Sequence, residues 1–299
     1  VLGREVCAVL RRRGAAVVAL ARRRDAVTPS SAGEVRIADL LSAEPLAGVL
    51  GGVTHVISCV GASVELGRGG RKSYDRVDVP ANAALIAASA VANVQRFVYI
   101  SVRGADSLPH LRYFAAHGRV EQALRGSGLA HAILRPTGFF SAMGQILDMA
   151  RIGIVPRFGS GAAHTNPIHE ADVAEACVDA LGLDAASESG SDGVATRGAP
   201  GERAAVVREL GGPETFSRRA IAELAFAALG SQARFIPMPT LLMRMNIALL
   251  RPLHPRMADL MAFVLHVMRH ETVAPAYGTR RLADYFRERA AATSARSIS

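Results

Sequence analysis

The chain has 299 residues and a formal net charge of +9, with 50% hydrophobic residues, 20% charged residues and no Trp. That balance excludes a disordered protein, and the length permits one extended domain or a main domain with a smaller lobe. Cys7, Cys59 and Cys177 are the only cysteines and form no CxxC pair. They point to a reducing, cytoplasmic setting and away from a disulfide framework or thiolate metal site.

Leu2, Val6 and Leu10 recur at a helical period, so a helix opens the chain and runs into Arg11–Arg13. The basic cluster follows this apolar stretch rather than preceding it, so no secretory signal is read here. Residues 16–21 (AVVALA) form an apolar run of the length of a buried parallel strand. A second short strand at 34–38 ends at Asp39, residues 42–50 fit a short helix, and 53–60 (VTHVISCV) reads as a further strand. The alternation continues with a helix over 74–90, a strand at 96–101, a helix over 112–125 and a strand at 131–135. Helices alternating with β-rich runs predict an α/β fold with a doubly wound parallel sheet, whose ligand crevice lies at the carboxyl edge.

Beyond Pro136 the pattern loosens. Residues 139–151 read as a helix, 154–156 and 165–168 as short extended pieces, and 170–181 as an amphipathic helix. Residues 185–203 are rich in Gly, Ser and charge and read as a surface loop. A strand at 206–209 precedes Gly211-Gly212-Pro213, and Ser217 is placed to cap a helix running to Leu229. A strand at 234–236 leads into a Met-rich stretch, 238–268, interrupted by Arg244, Arg251, His254 and Asp259. Neither half of it reaches the roughly 20 apolar residues of a membrane span. It reads as buried helices or as a cover over a substrate, followed by a last helix over 279–292. Residues 1–150 are thus expected to form the nucleotide-binding core, and 151–299 to complete it and build a small, mostly helical substrate lobe.

Several stretches resemble the atypical short-chain dehydrogenases/reductases, specifically their NmrA-like NAD(P)-binding branch. They are VLGREVCAVLRRRGAAVVALARR, THVISCVGA, RFVYISVRGAD, YFAAHGRVEQALRGSGLAHAILRPTGFF, NPIHEADVAEA and GGPETFSRRAIAELAF. The resemblance implies a Rossmann-like domain that opens on a strand and a glycine-rich turn of the form GATGxLG. Only Val1-Leu2-Gly3 matches the tail of that turn, and Val1 is read either as an internal GTG codon taken for a start or as the front of a true fragment with weakened cofactor affinity. Gly3 then stands for the third glycine, where a missing side chain permits close helix–strand contact.

On the same resemblance, Arg22 first and Arg23 second are placed to hold a 2′-phosphate at the end of the second strand of the family fold. A guanidinium fork suits that group, and an NAD-selecting acid is missing there. NADP(H) is therefore the expected cofactor. Lys72 is the only lysine, so arginine is also this chain's default cation. No compact basic recognition helix supports binding to nucleic acid. Asp39 corresponds to the adenine edge or is a turn residue. Gly61 and Ala62 pass the adenosine ribose, and Pro136 and Thr137 lie beside the nicotinamide or simply turn the chain.

In the wider superfamily a Ser and a Tyr-x-x-x-Lys pair assist hydride transfer. Here Ser101 ends a strand, and Tyr113 is followed four residues later by His117, on the same helix face. Histidine is mostly neutral at pH 7 and activates a tyrosine less than lysine does. Asn166, His169 and Asp172 resemble the family's pocket-flanking segment; His169 equally fits a helix cap. Phe139, Phe140 and Met143 are expected to wall an apolar substrate. His266, His270 and Glu271 lack a third convincing ligand, and no metal is expected. The expected activity is NADPH-dependent reduction of a hydrophobic carbonyl or activated C=C bond. A non-catalytic NADP(H)-binding regulatory or assembly protein is the alternative.

Overall fold

The computed structural model describes residues 1–23, 33–42, 46–61, 74–182 and 205–296. In chain order the elements are α1 (Leu2–Arg12), β1 (Val18–Ala21), β2 (Glu34–Ile37), β3 (His55–Ser58), α2 (Asp78–Val91), β4 (Arg96–Ile100), α3 (Arg112–Arg125) and β5 (His131–Pro136). There follow α4 (Phe140–Arg151), β6 (Val155–Phe158), β7 (His164–Thr165), α5 (Glu170–Asp179), β8 (Ala205–Leu210), β9 (Phe216–Ser217), α6 (Arg218–Ala228) and β10 (Phe235–Met238). Three helices close the chain: α7 (Thr240–Leu253), α8 (Pro255–Arg269) and α9 (Leu282–Arg296).

The main sheet has the order β3-β4-β5-β8, every pair parallel, and β1 and β2 form a separate parallel pair. Among the described residues neither β1 nor β3 has a strand on its other side. Alternation along the strands assigns the two faces. Val98, Ile100, Ala132 and Leu134 pack with Val6 and Val9 of α1 and with Val173, Ala174 and Cys177 of α5. Phe97, Tyr99 and Ile133 face the other way, against Leu85 and Ile86 of α2 and Val120 and Leu124 of α3. Because side chains alternate with period two, a one-residue slip would exchange these sets, so burial on both faces fixes the register. Helices therefore cover both faces, which is the doubly wound arrangement. β8 and α5 bring residues beyond 151 into this core.

A third cluster joins Phe140, Ile146 and Leu147 of α4 to Ile221 and Phe226 of α6 and Phe286 of α9. The parallel pair β6–β10 and the hairpin of α7 and α8 make the outer lobe.

Several local expectations need correction. Of the helix expected over 42–50, residues 43–45 lie outside the described residues, and Ala47–Leu50 forms a 3-10 turn where Gly48, Gly51 and Gly52 weaken helical propensity. The helix over 74–90 breaks into a 3-10 turn, Tyr74–Arg76, and α2. Pro80 explains the break, since its ring would clash with the carbonyl of Arg76 in a continuous helix. The stretch 238–268 is not uniformly buried. α7 leaves Leu241, Leu242, Met245, Leu249 and Leu253 exposed and buries only Ile247, whereas α8 buries Arg256, Ala258, Asp259, Leu260 and Leu265. No helix among the described residues is long and apolar enough to cross a membrane. The surface loop expected over 185–203 lies outside the described residues.

Candidate active site

The carboxyl ends of β1, β3, β4 and β5 lie along one edge of the fold, and most of the expected residues follow them. Arg22 and Arg23 stand exposed just past β1. Asp39 accepts from the Leu41 amide at 3.0 Å, so it closes the turn after β2. Gly61 is exposed beyond β3, and Ala62 lies outside the described residues. Gly3, in the first turn of α1, faces the end of β3, but a Cβ there would meet Cys59 Cβ at 3.9 Å. That is ordinary contact, so close packing does not by itself require glycine. At the end of β5, the Thr137 hydroxyl donates to the Asn166 carbonyl at 2.7 Å, and the Pro136 carbonyl accepts from the Arg103 amide at 3.1 Å.

Tyr113 and His117 meet as their spacing requires, with ring centroids 4.9 Å apart. Tyr113 is boxed by aromatic groups, with Tyr74 at 5.0 Å and Phe263 of α8 at 4.5 Å. Burial, reinforced by Tyr74 and Asp78, pushes its phenol far above the usual range, so it stays protonated near neutrality. His117 is 7% exposed, and burial lowers its pKa to about 4 against a small opposing pull from Glu121. The Tyr99 phenol, itself raised by burial, shares a hydrogen bond with His117 Nδ1 at 2.7 Å. His117 is thus a neutral imidazole, and it cannot supply the cationic field of a lysine.

Ser101 does not join this pair. Its hydroxyl donates to Glu121 Oε1 at 2.6 Å, and the Glu121 carboxylate is gripped by Arg135 through Nε at 2.9 Å and Nη2 at 2.6 Å. Asp106 accepts from Arg135 Nη1 at 2.7 Å, and the two carboxylates hold this guanidinium above its ordinary pKa. Ser101, Glu121 and Arg135 are all buried, and their mutual bonding satisfies the charges inside the sheet edge. Sequence reasoning missed Glu121. Its signal was an acid on the same helix face as Phe114, His117, Val120 and Leu124.

The pocket-flanking segment is tied down locally. Asn166 Nδ2 donates to the Ala274 and Gly212 carbonyls, and its Oδ1 accepts from the Ala274 amide. His169 caps α5 by accepting from the Ala171 amide at 3.0 Å, and Asp172 is paired with Arg280. Phe140 and Met143 are buried in the α4–α6–α9 cluster. His266 and His270 stack at 4.1 Å, and no metal-holding group of three His, Cys, Asp or Glu occurs among the described residues.

Parallel strands ending together, helices on both faces and exposed arginines past β1 define a nucleotide-binding protein of Rossmann type. Residues 2–183 match the NAD(P)H-binding family, and the chain belongs to it. Its fold is that of Citrobacter sp. triphenylmethane reductase with NADP(H), at a TM-score of 0.71 and 16% identity over 97% of this chain and 96% of that one. The Escherichia coli NADPH-dependent quinone oxidoreductase with NADPH matches at a TM-score of 0.65 and 21% identity, covering 96% and 95%.

Among curated proteins, the chain is 30% identical to the chloroplastic divinyl chlorophyllide a 8-vinyl-reductase of Oryza sativa subsp. indica, over 80% of this chain and 58% of that one. It is 24% identical to the mitochondrial NADH dehydrogenase [ubiquinone] 1 alpha subcomplex subunit 9 of Arabidopsis thaliana, over 49% of this chain and 34% of that one. The chain therefore spans somewhat over half of the first of these relatives and about a third of the second.

The residues at the sheet edge fit a dinucleotide. Arg22 and Arg23 offer exposed guanidinium donors to a phosphate, Gly61 leaves the backbone beyond β3 uncovered, and the first turn of α1 presents amide N–H groups at the same edge.

Proposed function

We propose that the protein is an NADPH-dependent reductase acting on a hydrophobic carbonyl or activated C=C substrate. The observation that carries this reading is the Tyr113–His117 pair on α3, set at the carboxyl edge of an NAD(P)H-binding fold. Support comes from relatives named as a vinyl reductase, a quinone oxidoreductase and a dye reductase. Arg22 and Arg23 would grip the 2′-phosphate that distinguishes NADPH from NADH. Thr137 and the Pro136 backbone would border the nicotinamide ring, and Gly61 would border the ribose. The bound nicotinamide supplies hydride.

The protein's own part is the proton and the setting. Tyr113 is a protonated phenol within an apolar box, so it donates a hydrogen bond to developing negative charge and releases its proton only to a strongly basic acceptor. The neutral His117 leaves that acidity unassisted. Such a weak acid suits an enolate or alkoxide formed by hydride addition better than a reaction that needs proton transfer first. Ser101 holds Glu121 in place and acts on Tyr113 only through the fold.

The test is loss of NADPH absorbance on addition of a hydrophobic quinone or enone. Turnover that is faster with NADPH than with NADH supports the reading. Stoichiometric binding of NADPH with no turnover across ketones, quinones and enones overturns it, in favour of the non-catalytic dinucleotide-binding role.

A further inference from the structure

Between α4, the β6–β10 pair, the start of α6 and the α7–α8 hairpin lies a cavity of about 280 Å³. It sits near the lower end of the range of small-molecule sites, roughly 300–1,000 Å³. Its wall is almost wholly apolar, built from Phe158, Phe235, Met243, Met257, Met261 and Met268 among others, and unbranched thioether side chains adapt to varied ligand shapes. The lining contains three arginines, Arg157, Arg218 and Arg219, and no Asp or Glu. Two of them have their bonding accounted for. Arg219 Nε donates to Glu223 at 2.7 Å and its guanidinium lies over the Phe235 ring, while Arg157 Nη1 donates to the Gly159 carbonyl at 2.9 Å.

Arg218 differs. Its Nη2 donates to the Thr272 hydroxyl at 2.6 Å, but its Nε is enclosed with no acceptor. No carboxylate among the described residues pairs with it, and burial alone lowers its pKa to about 10, which still leaves it cationic at pH 7. A guanidinium whose Nε is shut away from water with no acceptor or counter-charge is destabilising unless something supplies one. We infer that this cavity binds an amphipathic carboxylate, with its apolar body among the methionines and its anionic end beside Arg218. A guanidinium fork matches a carboxylate in shape as well as in charge. The inference does not rest on the reductase reading; the binding site stands on the cavity and its arginine.

The test is calorimetric titration of the whole chain, without NADPH, using decanoate and the uncharged decanol. Decanoate is expected to bind about tenfold or more tightly, the scale of a charge-assisted hydrogen bond. Arg218→Met is expected to bind decanol as before and lose the preference, and Arg218→Lys to recover part of it. Met261→Trp, which fills the cavity and leaves the arginine in place, is expected to exclude both ligands. Equal affinities in the parent protein, no binding of either, a preference that survives Arg218→Met, or decanoate binding that survives Met261→Trp each overturns the inference. Decanoate binding in a protein that never oxidises NADPH would remove only the reductase reading.

Discussion

Two arginines withdrawn from solvent distinguish the halves of this molecule. Arg135, at the carboxyl end of β5, is held by Glu121 and Asp106, and Glu121 also accepts from Ser101 and Arg125. Arg218, at the first position of α6, has one hydroxyl partner and no carboxylate among the described residues. The sheet edge has its charges satisfied from within, as a rigid platform for a cofactor requires. The outer lobe leaves a cation in apolar surroundings, with no carboxylate beside it among the described residues.

The sharpest way to break this contrast is to remove the internal counter-charge. Glu121→Leu should leave Arg135 and Ser101 without their buried acceptor and destabilise the fold by roughly 3–5 kcal/mol, read as a shifted denaturant midpoint. A change under about 1 kcal/mol would mean that the platform does not depend on the network. Next in size, Tyr113→Phe should lower carbonyl reduction by about a hundredfold while leaving NADPH affinity unchanged, measured by steady-state kinetics and a binding titration. Unaltered turnover would remove Tyr113 from proton donation. Arg22→Ala should narrow the preference for NADPH over NADH by about tenfold, as the loss of a charge-assisted contact. An unchanged ratio would leave Arg22 merely solvated.

The smallest effect concerns acid. Burial lowers the His117 pKa from its ordinary 6.5 to about 4, so between those values the unfolded chain holds more protons. Its contribution to stability is complete above pH 6.5 and is lost as pH falls toward 4. His117→Gln should flatten that slope by at most about 1.4 kcal/mol per pH unit, with His266, also lowered to about 4, sustaining the remainder. Denaturant titrations at a series of pH values read the difference.

Much of the core was legible because its signals are local. α3 spans the predicted residues without change, and β4 and β5 show the apolar runs of strands covered on both sides. The Tyr113–His117 contact follows from helical spacing alone. What was not legible depends on partners distant in the chain: Ser101 with Glu121, Glu121 with Arg135, and Phe263 over Tyr113. Asn166 and Asp172 looked like pocket residues, and their fastening to Ala274 and Arg280 spans about a hundred positions, which no local pattern encodes. Arg218 did leave a trace. Two arginines begin α6, where the helix dipole disfavours cations, and no acid shares that first turn. Positive charge set against the dipole was a sign that the side chain had another task.

The helix α8 turns Phe263 toward Tyr113 and Met257, Met261 and Met268 toward the cavity. One helix therefore packs on the tyrosine with one face and walls the cavity with another. A bulkier residue on its methionine side would press on the tyrosine's enclosure as well, and a smaller one at position 263 would loosen the helix that walls the cavity.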